Sequence, residues 1–253
     1  MVKIDLNCDM GESFGRYTLG SDEALMPLIT SANIACGFHA GDPLVMEATV
    51  GLAARLGVGV GAHPGYPDLQ GFGRRNLDLA PEEAEALALY QVGALAGFAR
   101  AAGVELAHVK LHGALYNQAA KDRALAQALA RGVARFNKSL ILVGLAGSAL
   151  VAAGAEAGLR VANEGFADRA YNADGSLRSR RLPGAVLESP QQAAAQAVRL
   201  VKEGIRLDES RVQVQTLCIH GDNPAALSIA QAVRGALAAN GIEVTTLGEI
   251  VTT

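Results

Sequence analysis

The sequence predicts an α/β barrel in which parallel strands alternate with covering helices. Short β-like runs and helical runs alternate along the whole chain, and seven or eight such units fit into its 253 residues. Half of the residues are apolar but only 4% are aromatic, a composition that suits close packing of helices on a sheet. No shift of composition divides the chain, so we expect one catalytic domain over residues 1–253.

Eight short segments have the apolar and β-branched composition of strands and lie between turn signals. They cover residues 2–7, 30–36, 58–62, 107–111, 140–143, 160–163, 212–219 and 243–247. The segment 163–189 is long, irregular and rich in Arg, Asp, Asn and Gly, so we interpret it as an active-site loop. The predicted architecture is an irregular, TIM-like (β/α) barrel of seven or eight parallel strands.

Seven helical segments separate these strands. They cover residues 21–29, 44–56, 81–102, 122–136, 148–156, 190–203 and 224–240. Three of them begin with a capping side chain followed by proline at the first helical position. These pairs are Asp42-Pro43, Ser189-Pro190 and Asn223-Pro224. Gly57, Gly103, Gly204 and Gly241 each end a helical run, where a left-handed residue is favoured.

Charge and cysteine content exclude several classes of partner. The formal net charge is −3 without a basic stripe, so we expect no nucleic-acid partner. No run of about 20 apolar residues occurs and the N-terminus lacks an apolar signal core, so we expect no membrane partner. Cys8, Cys36 and Cys218 are far apart, which predicts unpaired, packed thiols and a cytoplasmic location.

Polar residues concentrate where the predicted strands end, which in a parallel barrel is the ligand-binding face. Asp5, Asn7 and Asp9 alternate along the first strand and therefore share its inner face. Four of the five histidines follow strand ends, each within two residues of a glycine. They are His39, His63, His112 and His220. Histidine carries protons near neutral pH and binds metals, so this pattern predicts an active site.

Lys110 and His108 lie on the same inner strand face as His112. A buried lysine needs a carboxylate partner or an anionic substrate, so Lys110 is predicted to be functional. His108 is deeper in the strand, and a hydrogen-bonded structural role is predicted for it. Arg169 either grips a substrate carboxylate or braces its own loop through Asp168 or Glu164.

These considerations together predict a set of site residues. The predicted catalytic residues are Asp9, His39, Lys110, His112, His220 and Asp222. The predicted substrate-binding residues are Asn7, Glu12, Asn33, His63, Asn117, Glu164 and Arg169. The Asp, Glu and His residues of this set can also supply a mixed metal site, but their spacing does not choose among them, and a divalent metal stays open. The sequence contains no Walker A, dinucleotide-binding or nucleophile-elbow motif.

Six blocks of sequence at these same positions resemble the LamB/YcsF family. They are DLNCDMGESFG (5–15), SANIACGFHAGDP (31–43), GAHPGYPDLQGFGRR (61–75), VKLHGALYN (109–117), EGFADRAY (164–171) and CIHGDNPAA (218–226). The resemblance runs from the first strand to near the C-terminus. It implies a distorted TIM-like barrel similar to the glycoside hydrolase/deacetylase fold.

The resemblance also implies a reaction: ATP-dependent hydrolytic opening of 5-oxo-L-proline, a cyclic amide, to L-glutamate with release of ADP and phosphate. ATP is then a co-substrate, and the chain acts together with 5-oxoprolinase subunits B and C. Two alternatives stay open. One is a metal-dependent deacetylase or another C–N hydrolase, and the other is a protein that binds the lactam without catalysing its hydrolysis.

Overall fold

The computed structural model describes residues 1–180, 182–207, 210–221 and 223–252. Its strands, in chain order, are β1 (Val2–Met10), β2 (Ser31–Ala35), β3 (Gly59–His63), β4 (Leu106–Lys110), β5 (Ile141–Leu145), β6 (Arg160–Phe166), β7 (Ile205–Leu207), β8 (Ser210–Val212), β9 (Thr216–Ile219) and β10 (Ile242–Val244). Strands β1 to β6 pair in sequence order, and β9 pairs with both β6 and β1. Every pairing in this ring is parallel, so the predicted barrel is confirmed with seven strands.

The helices alternate with these strands, as the sequence predicts, but two short helices, Gly113–Ala119 and Leu247–Ile250, lie where none is predicted. In chain order, the helices are α1 (Asp22–Leu25), α2 (Pro43–Leu56), α3 (Pro81–Ala101), α4 (Gly113–Ala119), α5 (Arg123–Phe136), α6 (Ala149–Glu156), α7 (Pro190–Glu203), α8 (Ala226–Ala239) and α9 (Leu247–Ile250). The Asp42 side chain caps α2 and the Ser189 side chain caps α7, as predicted. The third predicted cap is wrong. Asn223 accepts a hydrogen bond from Ala225 in a preceding turn, and α8 begins only at Ala226.

Four predicted strands differ from the structure by three residues or more. Strands β1 and β6 each continue three residues beyond the predicted ends at residues 7 and 163. The predicted strand 212–219 is divided, because its first residue belongs to the antiparallel hairpin β7–β8 and only Thr216–Ile219 enters the barrel. Between them, Gln215 uses its backbone N–H and its side-chain oxygen to bond the backbone of Asn163. The predicted strand 243–247 is too long, since β10 ends at Val244 and Leu247 begins α9. Strand β10 pairs only with the start of β1 and lies outside the ring.

The two ends of the barrel interior differ in polarity. At the amino end of the strands, Leu247 of α9 packs against Ile141, Val143 and Ala162, which close the interior with apolar side chains. Toward the carboxyl ends the inner face becomes polar, because the parallel register aligns polar residues of neighbouring strands. Asn33 lies beside Asp9 in this register. No helix in the described ranges is long and apolar enough to cross a membrane.

Candidate active site

The ammonium group of Lys110 lies at the centre of the polar interior. Its Nζ is 2.9 Å from Asp9 Oδ1 and 2.9 Å from Glu164 Oε1, and it donates to Asn7 Oδ1 at 3.1 Å. Cys218 Sγ lies 3.0 Å from the same nitrogen. Although burial opposes the charged form, the carboxylate of Asp9, the Cys218 side chain and Glu164 raise the pKa of Lys110 well above its ordinary value. The predicted inward-facing lysine with carboxylate partners is present.

Two buried asparagines hold the acceptors of Lys110 in place. Asn33 Nδ2 donates to Asn7 Oδ1 at 2.7 Å and to Asp9 Oδ1 at 2.9 Å. Asn7 in turn donates from Nδ2 to Glu164 Oε1 at 2.9 Å. His108 Nε2 lies 2.8 Å from Asn33 Oδ1, and because an amide oxygen only accepts, this nitrogen carries the proton. His108 is therefore the hydrogen-bonded structural residue that its position predicts.

Asp9 remains ionised in this setting. Burial alone would raise its pKa, but His63 and Lys110 lower the pKa of the carboxyl well below its usual range. The Oδ2 atom of Asp9 is 3.4 Å from His63 Nε2. The carboxylate thus connects Lys110 to a group of histidines farther along the barrel axis.

That group contains His39, His63, His112 and the carboxylate of Glu12, all of them buried. The His39 and His112 rings stack with centroids 3.7 Å apart, and the His63 ring is perpendicular to that of His112. Glu12 Oε1 lies 3.6 Å from His39 Nε2 and 3.4 Å from His112 Nδ1. Burial, followed by the neighbouring histidines, lowers the pKa of both His39 and His112 well below the ordinary value, so both rings are neutral at pH 7.

His220 forms a separate pair with Asp168 and lies close to Asp9 and Cys218. Its Nδ1 is 2.8 Å from Asp168 Oδ1, and its backbone N–H donates to Oδ2 at 3.1 Å. The ring stacks on Phe166 with centroids 5.3 Å apart. Burial would raise the pKa of Asp168, but the contacts with His220 lower it below its ordinary value. Because the carboxylate holds Nδ1–H, the Nε2 atom of His220 is the one available for proton transfer.

A cavity of about 960 Å³ opens above these groups at the carboxyl ends of the strands. Asp9, Lys110 and His220 lie on its inner wall. Its outer wall is basic, with long cationic side chains from three loops. These are Arg74, Arg75, Lys121, Arg169, Arg178 and Arg180. The volume is near the upper end of the range for small-molecule sites, and the basic wall favours an anionic ligand.

The structure brings most of the predicted site residues to this cavity or directly behind it. Three of the predicted residues differ from the rest. Asn117 is exposed at the rim and donates from Nδ2 to Gly113 O of its own helix at 3.0 Å. Arg169 lines the cavity and also braces its loop, but through the carbonyl oxygens of Ala185 and Arg178 rather than through Asp168 or Glu164. Asp222, predicted to be catalytic, lies outside the described residues.

Sequence reasoning missed three residues of the site. Asp168 orients His220, and Tyr116 donates its hydroxyl to Glu164 Oε2 at 2.6 Å. Cys218, predicted to be a simple packing residue, contacts Lys110 instead. A signal existed for Asp168, because a proton-transferring histidine needs an orienting acid and the loop after β6 offers one. Tyr116 has no comparable sequence signal.

The fold and the site together define a class of protein: a seven-stranded parallel (β/α) barrel with an ionisable, anion-attracting cavity at the carboxyl ends of its strands. The model of the LamB/YcsF family matches residues 4–252. The chain belongs to the LamB/YcsF family, as its sequence blocks indicate.

Three known proteins show how far the likeness extends. A relative from Tolumonas auensis, named as the A subunit of 5-oxoprolinase, is 57% identical over 248 residues, which cover 96% of this chain and 99% of the relative. The crystal structure of a lactam utilization protein from Thermus thermophilus matches with a TM-score of 0.90 and 47% identity, covering 97% of this chain and 100% of that chain. A peptidoglycan N-acetylglucosamine deacetylase matches with a TM-score of 0.53 and 12% identity over 99% of this chain and 88% of that chain, and shares the fold alone.

Proposed function

We propose that this chain is the A subunit of a 5-oxoprolinase and takes part in the ATP-dependent hydrolysis of 5-oxo-L-proline to L-glutamate, ADP and phosphate. The observation that carries the proposal is its 57% identity, over nearly the full length of both chains, to a relative that bears that name. The likeness to a lactam utilization protein supports the same substrate class, because 5-oxo-L-proline is a five-membered lactam.

The chemistry requires activation of a stable amide. Attack of the lactam oxygen on the γ-phosphorus of ATP releases ADP and leaves the former carbonyl oxygen phosphorylated. Water then adds to the ring carbon, the C–N bond breaks, and the nitrogen takes a proton. The resulting acyl phosphate is hydrolysed by a second water to L-glutamate and phosphate. Each step needs a cation near developing negative charge or a group that moves a proton.

The residues on the inner wall of the cavity suit both requirements. Lys110 is a permanently protonated donor fixed by two carboxylates, so it can stabilise an oxyanion or a transferred phosphoryl group. His220, oriented by Asp168, can carry the proton that the ring nitrogen needs. The ionised Asp9, beside His63, can accept a hydrogen bond from the attacking water and orient it. We assign Asn117 and Arg169, which line the same cavity, to substrate positioning.

We further propose that ATP approaches along the basic outer wall. Arg178 and Arg180 belong to the loop after β6, Arg74 belongs to the loop after β3, and all three line the cavity. Guanidinium groups bind phosphate oxygens through paired hydrogen bonds, which compensates for the absence of a phosphate-binding motif in the sequence. A small lactam fills only part of 960 Å³, which leaves room for the phosphates of a co-substrate.

We propose that the chain works with subunits B and C, because the word "subunit" in the relative's name implies an assembly. We also place the reaction in the cytoplasm, where ATP is available and where the three free, buried cysteines stay reduced. The neighbouring subunits then either complete the ATP site or deliver an activated substrate to the cavity.

The test is a reconstitution. The purified chain, alone and with subunits B and C, is incubated with ATP and 5-oxo-L-proline, and glutamate and ADP are measured together. We expect glutamate and ADP in equal amounts, formed only when ATP is present. ATP-independent release of acetate from an N-acetylated sugar, without glutamate formation, would instead favour the deacetylase alternative. A purely binding role would be favoured if substitutions in the cavity of this chain raised KM for 5-oxo-L-proline and left kcat of the complex unchanged.

A further inference from the structure

Backbone contacts fix the protonation of two buried histidines, His63 and His112. His63 Nδ1 lies 2.7 Å from the carbonyl oxygen of Lys110, and His112 Nε2 lies 2.9 Å from the carbonyl oxygen of Phe72. A carbonyl oxygen only accepts hydrogen bonds, so both of these nitrogens carry hydrogen. When both rings are neutral, the lone pairs lie on the other two nitrogens, His63 Nε2 and His112 Nδ1.

His63 Nε2 and His112 Nδ1 face each other at 3.0 Å, with the ring planes 89° apart. Two lone pairs at this distance repel each other unless a positive charge lies between them. Carboxylates add to the negative potential: Glu12 Oε1 is 3.4 Å from His112 Nδ1, and Asp9 Oδ2 is 3.4 Å from His63 Nε2. The arrangement is complementary to a small cation.

We propose that Glu12, His63 and His112 form a binding site for a divalent transition-metal ion of the zinc class. Ligands bonded tetrahedrally at about 2.0–2.1 Å lie about 3.3 Å from one another. The separations found here are 3.0 Å between the two imidazole nitrogens and 3.4 Å between the His112 nitrogen and the carboxylate oxygen. Two imidazoles and one carboxylate are a donor set that zinc accepts, with a further position left for water or substrate.

The surroundings of the two histidines have the form expected around metal ligands. A ligating histidine almost always donates its second N–H to a carbonyl or carboxylate, which fixes its orientation, and both rings do so here. The carbonyl that holds His112 belongs to Phe72, whose backbone has a φ of 54°. A bulky residue seldom adopts this conformation, so local backbone strain is maintained at the position that orients this ring.

His39 is the fourth member of this buried group, but its geometry differs. Its ring is parallel to that of His112 within 6°, with centroids 3.7 Å apart, so one ion cannot lie in both ring planes. We therefore assign His39 to the packing of His112 rather than to the ion. A second group with ligand atoms close together, Asp9, Cys218 and His220, is disfavoured because the ammonium of Lys110 already contacts Asp9 and Cys218.

The experiment measures metal binding by the isolated full-length chain, so its outcome does not depend on the proposed reaction. The metal-stripped protein is titrated with Zn²⁺ in competition with a chromophoric chelator. We expect one equivalent to bind, and we expect His63→Gln and His112→Gln each to weaken binding by at least about 100-fold. The matched control, His220→Gln, also removes one histidine from the cavity wall and is expected to bind zinc like the parent.

X-ray absorption of the zinc-loaded parent protein gives a readout that does not require any variant to fold. Scattering from two imidazoles and oxygen, without sulfur, is the expected result. A sulfur ligand at about 2.3 Å would move the ion to the group that contains Cys218 and overturn the assignment. The proposal also fails if no stoichiometric zinc binds, because a proton would then be the positive charge between the two rings. It fails as well if the folded His63→Gln and His112→Gln variants bind zinc as tightly as the His220→Gln control.

Discussion

At the scale of single residues, Lys110 places a positive charge inside the barrel. Its ammonium contacts Asp9 and Glu164 at 2.9 Å each, so one buried cation is shared by two buried carboxylates. Removing one partner from such a group leaves an uncompensated charge, which destabilises proteins by about 3–5 kcal/mol. The same ammonium lines the cavity and can meet an anionic ligand. Stability and binding therefore depend on the same side chain.

The pairing of Asp168 with His220 leads to a prediction about turnover. Asp168→Asn keeps the shape of the side chain but removes the charge that holds His220 Nδ1–H. We expect kcat of the reconstituted enzyme to fall by about 10²–10⁴, with little change in KM, because proton transfer and not binding is impaired. Asp174→Asn, an exposed change in the same loop, is the control. Equal rates for the two variants would show that His220 does not transfer a proton.

Asp5 lies deeper on β1 and gives the stability of the protein a pH dependence. Its carboxylate accepts hydrogen bonds from Thr30, Ser31 and Thr216, yet burial raises its pKa from 3.8 to about 6. Between these two pH values the unfolded chain loses the proton while the folded protein keeps it. Stability contributed by the protonated group is therefore lost as pH rises from about 4 to about 6, and it stays constant above that range.

Asp5→Asn removes this titration, which allows it to be measured. The free energy of unfolding of the variant relative to the parent is expected to rise by on the order of 2 kcal/mol between pH 4 and pH 6.5. Denaturant unfolding of both proteins across this pH range provides the measurement. A difference between them that does not change with pH would mean that Asp5 is ionised in the folded protein at all these pH values.

At the scale of elements, a glycine on one strand leaves room for a large side chain on the neighbouring strand. Gly61 of β3 lies beside His108 of β4 in the parallel register, and a Cβ atom on Gly61 would overlap the imidazole ring. This absence of a side chain permits the hydrogen bond from His108 to Asn33, which in turn positions Asp9. Gly61 on the inner face of β3 thus leaves the space that the His108 ring on β4 occupies.

A pair of glycine substitutions tests this relation between β3 and β4. Gly61→Ala is expected to destabilise the protein by about 1–3 kcal/mol, because the inserted methyl group forces His108 out of position. Gly93→Ala, in the middle of α3 with no neighbouring atom within 4 Å of the new Cβ, is expected to stabilise by about 0.5–1 kcal/mol. Thermal unfolding of both variants provides the comparison. Similar effects of the two changes would contradict the packing described here.

At the scale of the whole molecule, the barrel and its active end could be predicted from sequence because they depend on local signals. Strand composition, Asp42 and Ser189 as caps, and polar residues at strand ends are all local features. Closure by α9 could not be predicted, because a four-residue helix has no usable periodicity. The contacts that define the site between His63 and His112 use the backbone carbonyls of Lys110 and Phe72, which are 47 and 40 residues from the rings they hold and which no side-chain pattern records.

The central claim is that the cavity at the carboxyl ends of the strands is where the lactam is opened. The most direct measurement is the rate of ATP-dependent glutamate release by a complex of subunits B and C with the Asp9→Asn, His112→Gln double variant of this chain. With assembly verified by size-exclusion chromatography, we expect kcat to fall by at least about 10³ relative to the parent complex. A correctly assembled complex that retained the parent rate within about twofold would contradict the claim.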